Sequence, residues 1–120
     1  MQLKNGFLSL VQGDTEDLVI NLTGETFTSS DKAQITFTQR DGTALMNKVA
    51  NINNNAVTFS FEINDTKDIP EGDYKWEIQI VTGATVTNGK IVSGTKKYTP
   101  YEKPMPLRIN DALNDITGGA

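Results

Sequence analysis

The sequence predicts an all-β fold, an antiparallel sandwich of seven to eight short strands with a short C-terminal extension, and three observations carry that expectation. Apolar and polar residues alternate in stretch after stretch, as in Val57, Phe59, Phe61 and Ile63 against Thr58, Ser60 and Glu62, which is the pattern of strands with one buried face. Turn-forming residues recur about every ten positions. Helical spacing is confined to the end of the chain. The 120 residues suffice for one domain around one core, with residues 1–99 as the sandwich and residues 100–120 as a Pro-rich linker and short amphipathic tail.

In chain order, Phe7 to Val11 and Asp17 to Thr23 read as strands bracketing the turn Gln12-Gly13-Asp14-Thr15, with Leu18, Ile20 and Leu22 on one face. Ala33, Ile35 and Phe37 alternate with Gln34, Thr36 and Thr38. Asp41-Gly42 then supplies a two-residue hairpin turn that favours positive φ. The return strand, Thr43 to Val49, is less apolar and reads as an edge. Asn53-Asn54-Asn55 turns the chain into the Val57 to Ile63 strand. Next comes the corner Pro70-Glu71-Gly72-Asp73, in which Pro70 fixes φ and Gly72 is free to take positive φ. It delivers Tyr74, Trp76, Ile78 and Ile80 to one face of a strand and Lys75, Glu77 and Gln79 to the other. Asn88-Gly89 sets a last hairpin between Ala84–Thr87 and Lys90–Tyr98.

The corner narrows the fold. In immunoglobulin-like sandwiches a Gly-x-Tyr stands two positions before the buried residue of the following strand, and the Tyr hydroxyl bonds back to the corner backbone. Gly72 and Tyr74 match that arrangement, with Trp76 where antibody domains carry a cysteine. The predicted core is Ile20, Ile35, Phe37, Phe59, Phe61, Tyr74, Trp76 and Ile78, and the Tyr74 hydroxyl is expected to bond within Asp68 to Glu71.

After Tyr98 the character changes. Pro100, Pro104 and Pro106 cannot donate to a sheet ladder, so Thr99 to Leu107 reads as an extended linker. Asn110 is a plausible N-cap, and Ile109, Ala112, Leu113 and Ile116 repeat at helical spacing before Gly118-Gly119. A helix this short is marginal alone. Leu107, Ile109, Leu113 and Ile116 therefore form an apolar stripe that must dock on its own domain or on another subunit, and they are the expected assembly surface.

The chemistry that the sequence offers is sparse. There is no His and no Cys, so the usual general base, transition-metal ligand and thiol nucleophile are missing. No catalytic, cofactor or metal residue is expected. The carboxylates cluster at Asp14, Glu16 and Asp17 and at Asp65, Asp68, Glu71 and Asp73, where acidic side chains satisfy turn backbone. The second cluster lacks the spacing of an EF-hand loop. Trp76 points inward by alternation, which favours core packing over a sugar platform, while Tyr98 and Tyr101 are freer. A formal charge of −4, with Lys96-Lys97 as the only basic cluster, argues against nucleic acid. No apolar run approaches the roughly 18 residues of a membrane span, and the N-terminus lacks a signal pattern. The residues leave three classes open: a structural assembly protein, a carbohydrate-binding or adhesion module, and an enzyme working with carboxylates alone.

Gln12-Gly13-Asp14-Thr15, Ala33-Gln34-Ile35-Thr36-Phe37, Ile69-Pro70-Glu71-Gly72-Asp73-Tyr74 and Val92-Ser93-Gly94-Thr95 together form a pattern. It resembles the N-terminal immunoglobulin-like domain of phage baseplate upper proteins from Gram-positive hosts, over nearly residues 7 to 99. Related modules occur on phage tail, head-fibre and capsid-decoration proteins. The resemblance implies a non-enzymatic virion protein, assembled in the bacterial host cytoplasm and partnered by other virion proteins. It also implies a homo-oligomer, for which a trimer suits the phage analogy. The coiled receptor-binding part of that family has no counterpart in the sequence, so the expected role is anchoring, decoration or adaptor.

Overall fold

The computed structural model describes residues 1–23, 26–98 and 103–112. They form nine strands: β1 (Gln2–Lys4), β2 (Phe7–Val11), β3 (Asp17–Asn21), β4 (Asp31–Thr38), β5 (Ala44–Asn53), β6 (Ala56–Ser60), β7 (Gly72–Thr87), β8 (Lys90–Tyr98) and β9 (Met105–Asn110). A one-turn helix, α1 (Ile63–Thr66), lies between β6 and β7. The protein is all-β, and its sheet is mixed and curled into a half-barrel. The strands run β1-β2-β9-β7-β4-β5-β6-β3, with β8 also paired to β7. The curl turns at β5, which pairs with β4 as far as Asn51 and then with β6 through Ile52 and Asn53.

One core fills the inside of the curl. Trp76, Phe37, Phe59, Ile35, Ile78 and Ile80 are fully buried, and Leu18, Ile20 and Phe61 lie beside them. Burial of this kind stabilises by about 1.5–3 kcal/mol per large apolar side chain. Phe37 and Phe61 stack with centroids 5.6 Å apart. Three turns have positive φ at both central residues, Asn5-Gly6, Asn54-Asn55 and Asn88-Gly89, which matches the twist of the strands they join.

Several sequence expectations are corrected. The pairing is not wholly antiparallel, because β2 runs parallel to β9 from Leu8↔Leu107 to Val11↔Asn110. Residues 105–110 are neither linker nor helix start. They form β9, inserted between β2 and β7. Pro106 is accommodated because β2 begins to pair only at Leu107, leaving one side of the strand free at the proline. Ile63, expected on the inner face of a strand, starts α1 and is exposed, since Asp65 accepts the Glu62 N–H at 2.8 Å and turns the chain into a helix. The connection after β4 runs from Gln39 to Thr43, longer than a two-residue turn. Finally, β7 continues without a break through Ala84–Thr87, bending at bulges where Gly83 and Gly94 have positive φ. A Cβ at Gly94 would lie 2.5 Å from Val81 Cγ1, so only glycine fits there.

Candidate functional site

A set of specific contacts gathers at the corner where α1, β2, β7 and β9 meet. Tyr74 Oη donates to the Pro70 carbonyl at 2.6 Å, which closes the corner on itself. Gly72 does not use positive φ. A Cβ there would stand at ordinary contact distance, 3.4 Å, from the Tyr74 ring and hydroxyl, so the ring packs directly over this backbone. Two residues on, Trp76 is fully buried and donates from Nε1 to the Gly6 carbonyl at 3.0 Å. That bond fastens the β1–β2 turn to the core. A Cβ on Gly6 would collide with Met105 Cε, so the turn, the indole and the start of β9 fit closely together.

The Gln12-Gly13-Asp14 segment ties the same region from the other side. Gln12 Nε2 donates to the Ile69 carbonyl at 2.7 Å, and the Gln12 N–H donates to the Asn110 carbonyl at 2.9 Å. The Gly13 N–H donates to Thr66 Oγ1 at 2.9 Å, and Thr66 is buried. Asp14 Oδ2 accepts the Val11 N–H at 3.0 Å. The motif is therefore a clamp that joins the end of β2 to α1, the corner and β9. Thr66 was not legible as part of it, because a Thr in a polar stretch carries no periodic signal.

Several of the clustered acidic residues are engaged in structure. Arg108 on β9 reaches Glu71 at 3.2 Å and Asp73 at 3.3 Å. Asp65 caps α1 and meets Lys48 at 2.9 Å. Asp41 accepts the Thr43 N–H at 2.9 Å, and that bond holds its carboxyl below the ordinary value. Among the described residues no group of three or more His, Cys, Asp or Glu is placed to hold a metal ion. Among them also, no helix is long and apolar enough to cross a membrane.

The expected assembly stripe divides. Leu107 and Ile109 are buried in β9 as part of the core and are not available to a partner. The alternation of Leu107 and Ile109 with Arg108 and Asn110 is a strand period, and it prevails over the helical spacing that begins at Ile109 because β2 and β7 offer backbone partners on both sides. Leu113 and Ile116 lie outside the described residues, as does Tyr101.

Among the described residues, two surface grooves stand out. One, of about 450 Å³, runs between β5 and the β7–β8 turn and is lined by Lys32, Asn47, Val49, Asn51, Val86 and Gly89. The other, of about 520 Å³, lies by Phe7, Arg40, Tyr74, Lys75, Lys103 and Pro106. Asp73, held by Arg108, also lines the second groove. No protein-family model matches the chain, and searches of curated proteins and of solved structures likewise find no relative.

Proposed function

We propose that the chain is an immunoglobulin-like module that serves, without catalysis, as a structural protein of a phage virion, of the baseplate, tail, head-fibre or decoration type. The observation that carries the immunoglobulin-like reading is the corner, with the Tyr74 hydroxyl on the Pro70 carbonyl and a buried Trp76 two residues on. Strand pairing supports it. The β3–β6 pair stands for one sheet of such a domain, and β4, β7 and β8–β9 stand for the other, with β5 added beside β4 as in variable-type domains. The virion reading rests on the four motifs that resemble the baseplate family, and the clamp built by Gln12, Gly13 and Asp14 gives the first of them a structural role. A chain with no His or Cys, whose corner carboxylates Asp65, Glu71 and Asp73 are occupied in capping and ion pairs, suits assembly rather than catalysis. A sugar-stacking role gains no support from Trp76, whose ring is inside the core.

The test is to band phage particles by density from a lysate of a host that carries the gene, and to quantify the chain by mass spectrometry. The expected result is co-banding with the particles at a fixed ratio to a major tail or capsid protein. Recovery of the chain only in the soluble fraction would overturn the proposal.

A further inference from the structure

We infer that the free edge of β5, Asn47 to Asn51, pairs antiparallel with the same edge of a second copy of this chain, about a two-fold axis at Val49. On one side β5 is bonded to β4, and on the other it meets β6 only at Ile52 and Asn53. Among the described residues, the outward N–H and C=O groups of the intervening stretch enter no strand ladder. Such an edge is a template for another strand unless something blunts it. The other open edges are blunted. β1 has three residues and ends in Lys4, β3 has five and begins at Asp17, and β8 carries Lys90 and Lys96 and is bent by bulges against β7.

The β5 edge has neither a proline nor an uncompensated charge. Its one lysine, Lys48, lies opposite the inward-facing Ile35, a placement that usually deters an added strand because the charge would be buried with it. Here Asp65 takes that charge at 2.9 Å, and the Phe61 ring lies 6.0 Å from the Lys48 nitrogen. The deterrent is removed from within the same molecule.

The register and the occupant follow from the residues. A shift between Phe37 and Thr38 disturbs the β4–β5 ladder near Leu45, so the regular edge starts at Met46. An axis at Lys48 would set two lysines directly opposite, which destabilises a strand pair. An axis at Val49 sets Asn47 opposite Asn51 of the second copy, Lys48 opposite its Ala50, and valine against valine. A two-fold contact between identical edges closes on itself and leaves no open end. The groove along Asn47, Val49 and Asn51, walled by Val86 and Gly89, leaves room on the outer face for the facing asparagines. An edge this short buries less than a standard interface, so the dimer depends on concentration.

This surface is independent of the virion reading, since particle association and self-pairing are measured separately. The experiment uses the whole chain, whose lack of cysteine makes single-cysteine variants unambiguous. Sedimentation equilibrium between about 10 µM and about 1 mM should show the mass rising from one chain towards two. Directly opposite residues hold their Cβ atoms about 4.5–5.5 Å apart. Val49→Cys should therefore give roughly ten-fold more disulfide-linked dimer under mild oxidation than Val19→Cys on the exposed β3 edge, with both variants melting like the parent chain. A mass of one chain throughout, a dimer in which Val49→Cys stays reduced, or equal crosslinking of the two variants would each overturn the proposal.

Discussion

Replacing Trp76 by Phe separates the two contributions this residue makes, one of volume and one of hydrogen bonding. The indole is fully buried, and its Nε1–H is donated to the Gly6 carbonyl at 3.0 Å in a buried bond. Phe keeps an aromatic ring in the core but loses the donor, which leaves that carbonyl unsatisfied at a cost of about 1–3 kcal/mol. The smaller ring adds about 1 kcal/mol for the unfilled volume, well short of the 3–5 kcal/mol of a full truncation to Ala. The sum is about 2–4 kcal/mol. At about 4 °C per kcal/mol for a chain of this length, Tm should fall by roughly 8–16 °C in a calorimetric or circular-dichroism melt. The parent protein should also show blue-shifted emission from its single Trp. A Phe variant melting within about 2 °C of the parent, or emission from a water-exposed indole, would refute the anchoring of the β1–β2 turn through Trp76.

Tyr74→Phe removes one hydrogen bond to Pro70 and should cost about 0.5–1.5 kcal/mol by denaturant titration, with no change in m-value. Gln12→Ala removes the half-buried side-chain bond to the Ile69 carbonyl and the acceptor for the Ala112 N–H and should cost about 0.5–1.5 kcal/mol by the same titration, although Gln12 lies far from Ile69 in sequence. Asp41 should titrate by carboxyl NMR with a midpoint below the ordinary value, because the Thr43 N–H stabilises its charged form. Its stabilising effect is then fully present above the ordinary value and is lost as pH falls through the depressed one. A midpoint at or above the ordinary value would contradict the Thr43 bond.

The strands legible in the sequence were those with one face in the core and one in water. Ala33, Ile35 and Phe37 and the run from Tyr74 to Ile80 alternate cleanly because β4 and β7 line the inside of the curl. The Asn54-Asn55 and Asn88-Gly89 turns are legible from residue types that tolerate positive φ, whereas Asn5-Gly6 is not, because β1, the strand before it, has only three residues. β9 was hidden for two reasons. Pro106 counts against a strand, and the penalty vanishes only where a neighbour has not begun to pair, which depends on β2, about a hundred residues away in sequence. Helical spacing from Ile109 onward also competed with a strand period only six residues long. The function of the Gln12 clamp was illegible for the same kind of reason, since its partners Ile69, Thr66 and Asn110 are brought together only by the fold.

The central claim is that the C-terminal residues 105–110 belong to the core while the edge of β5 is the surface free to assemble. Amide hydrogen exchange of the whole chain, followed by mass spectrometry at a low and a high protein concentration, tests both halves at once. Peptides covering Met105–Asn110 should be protected as strongly as those covering β7 at either concentration, and peptides covering Asn47–Asn51 should gain protection only at the higher one. Fast exchange throughout Met105–Asn110, or protection of Asn47–Asn51 that does not change with concentration, would contradict the account.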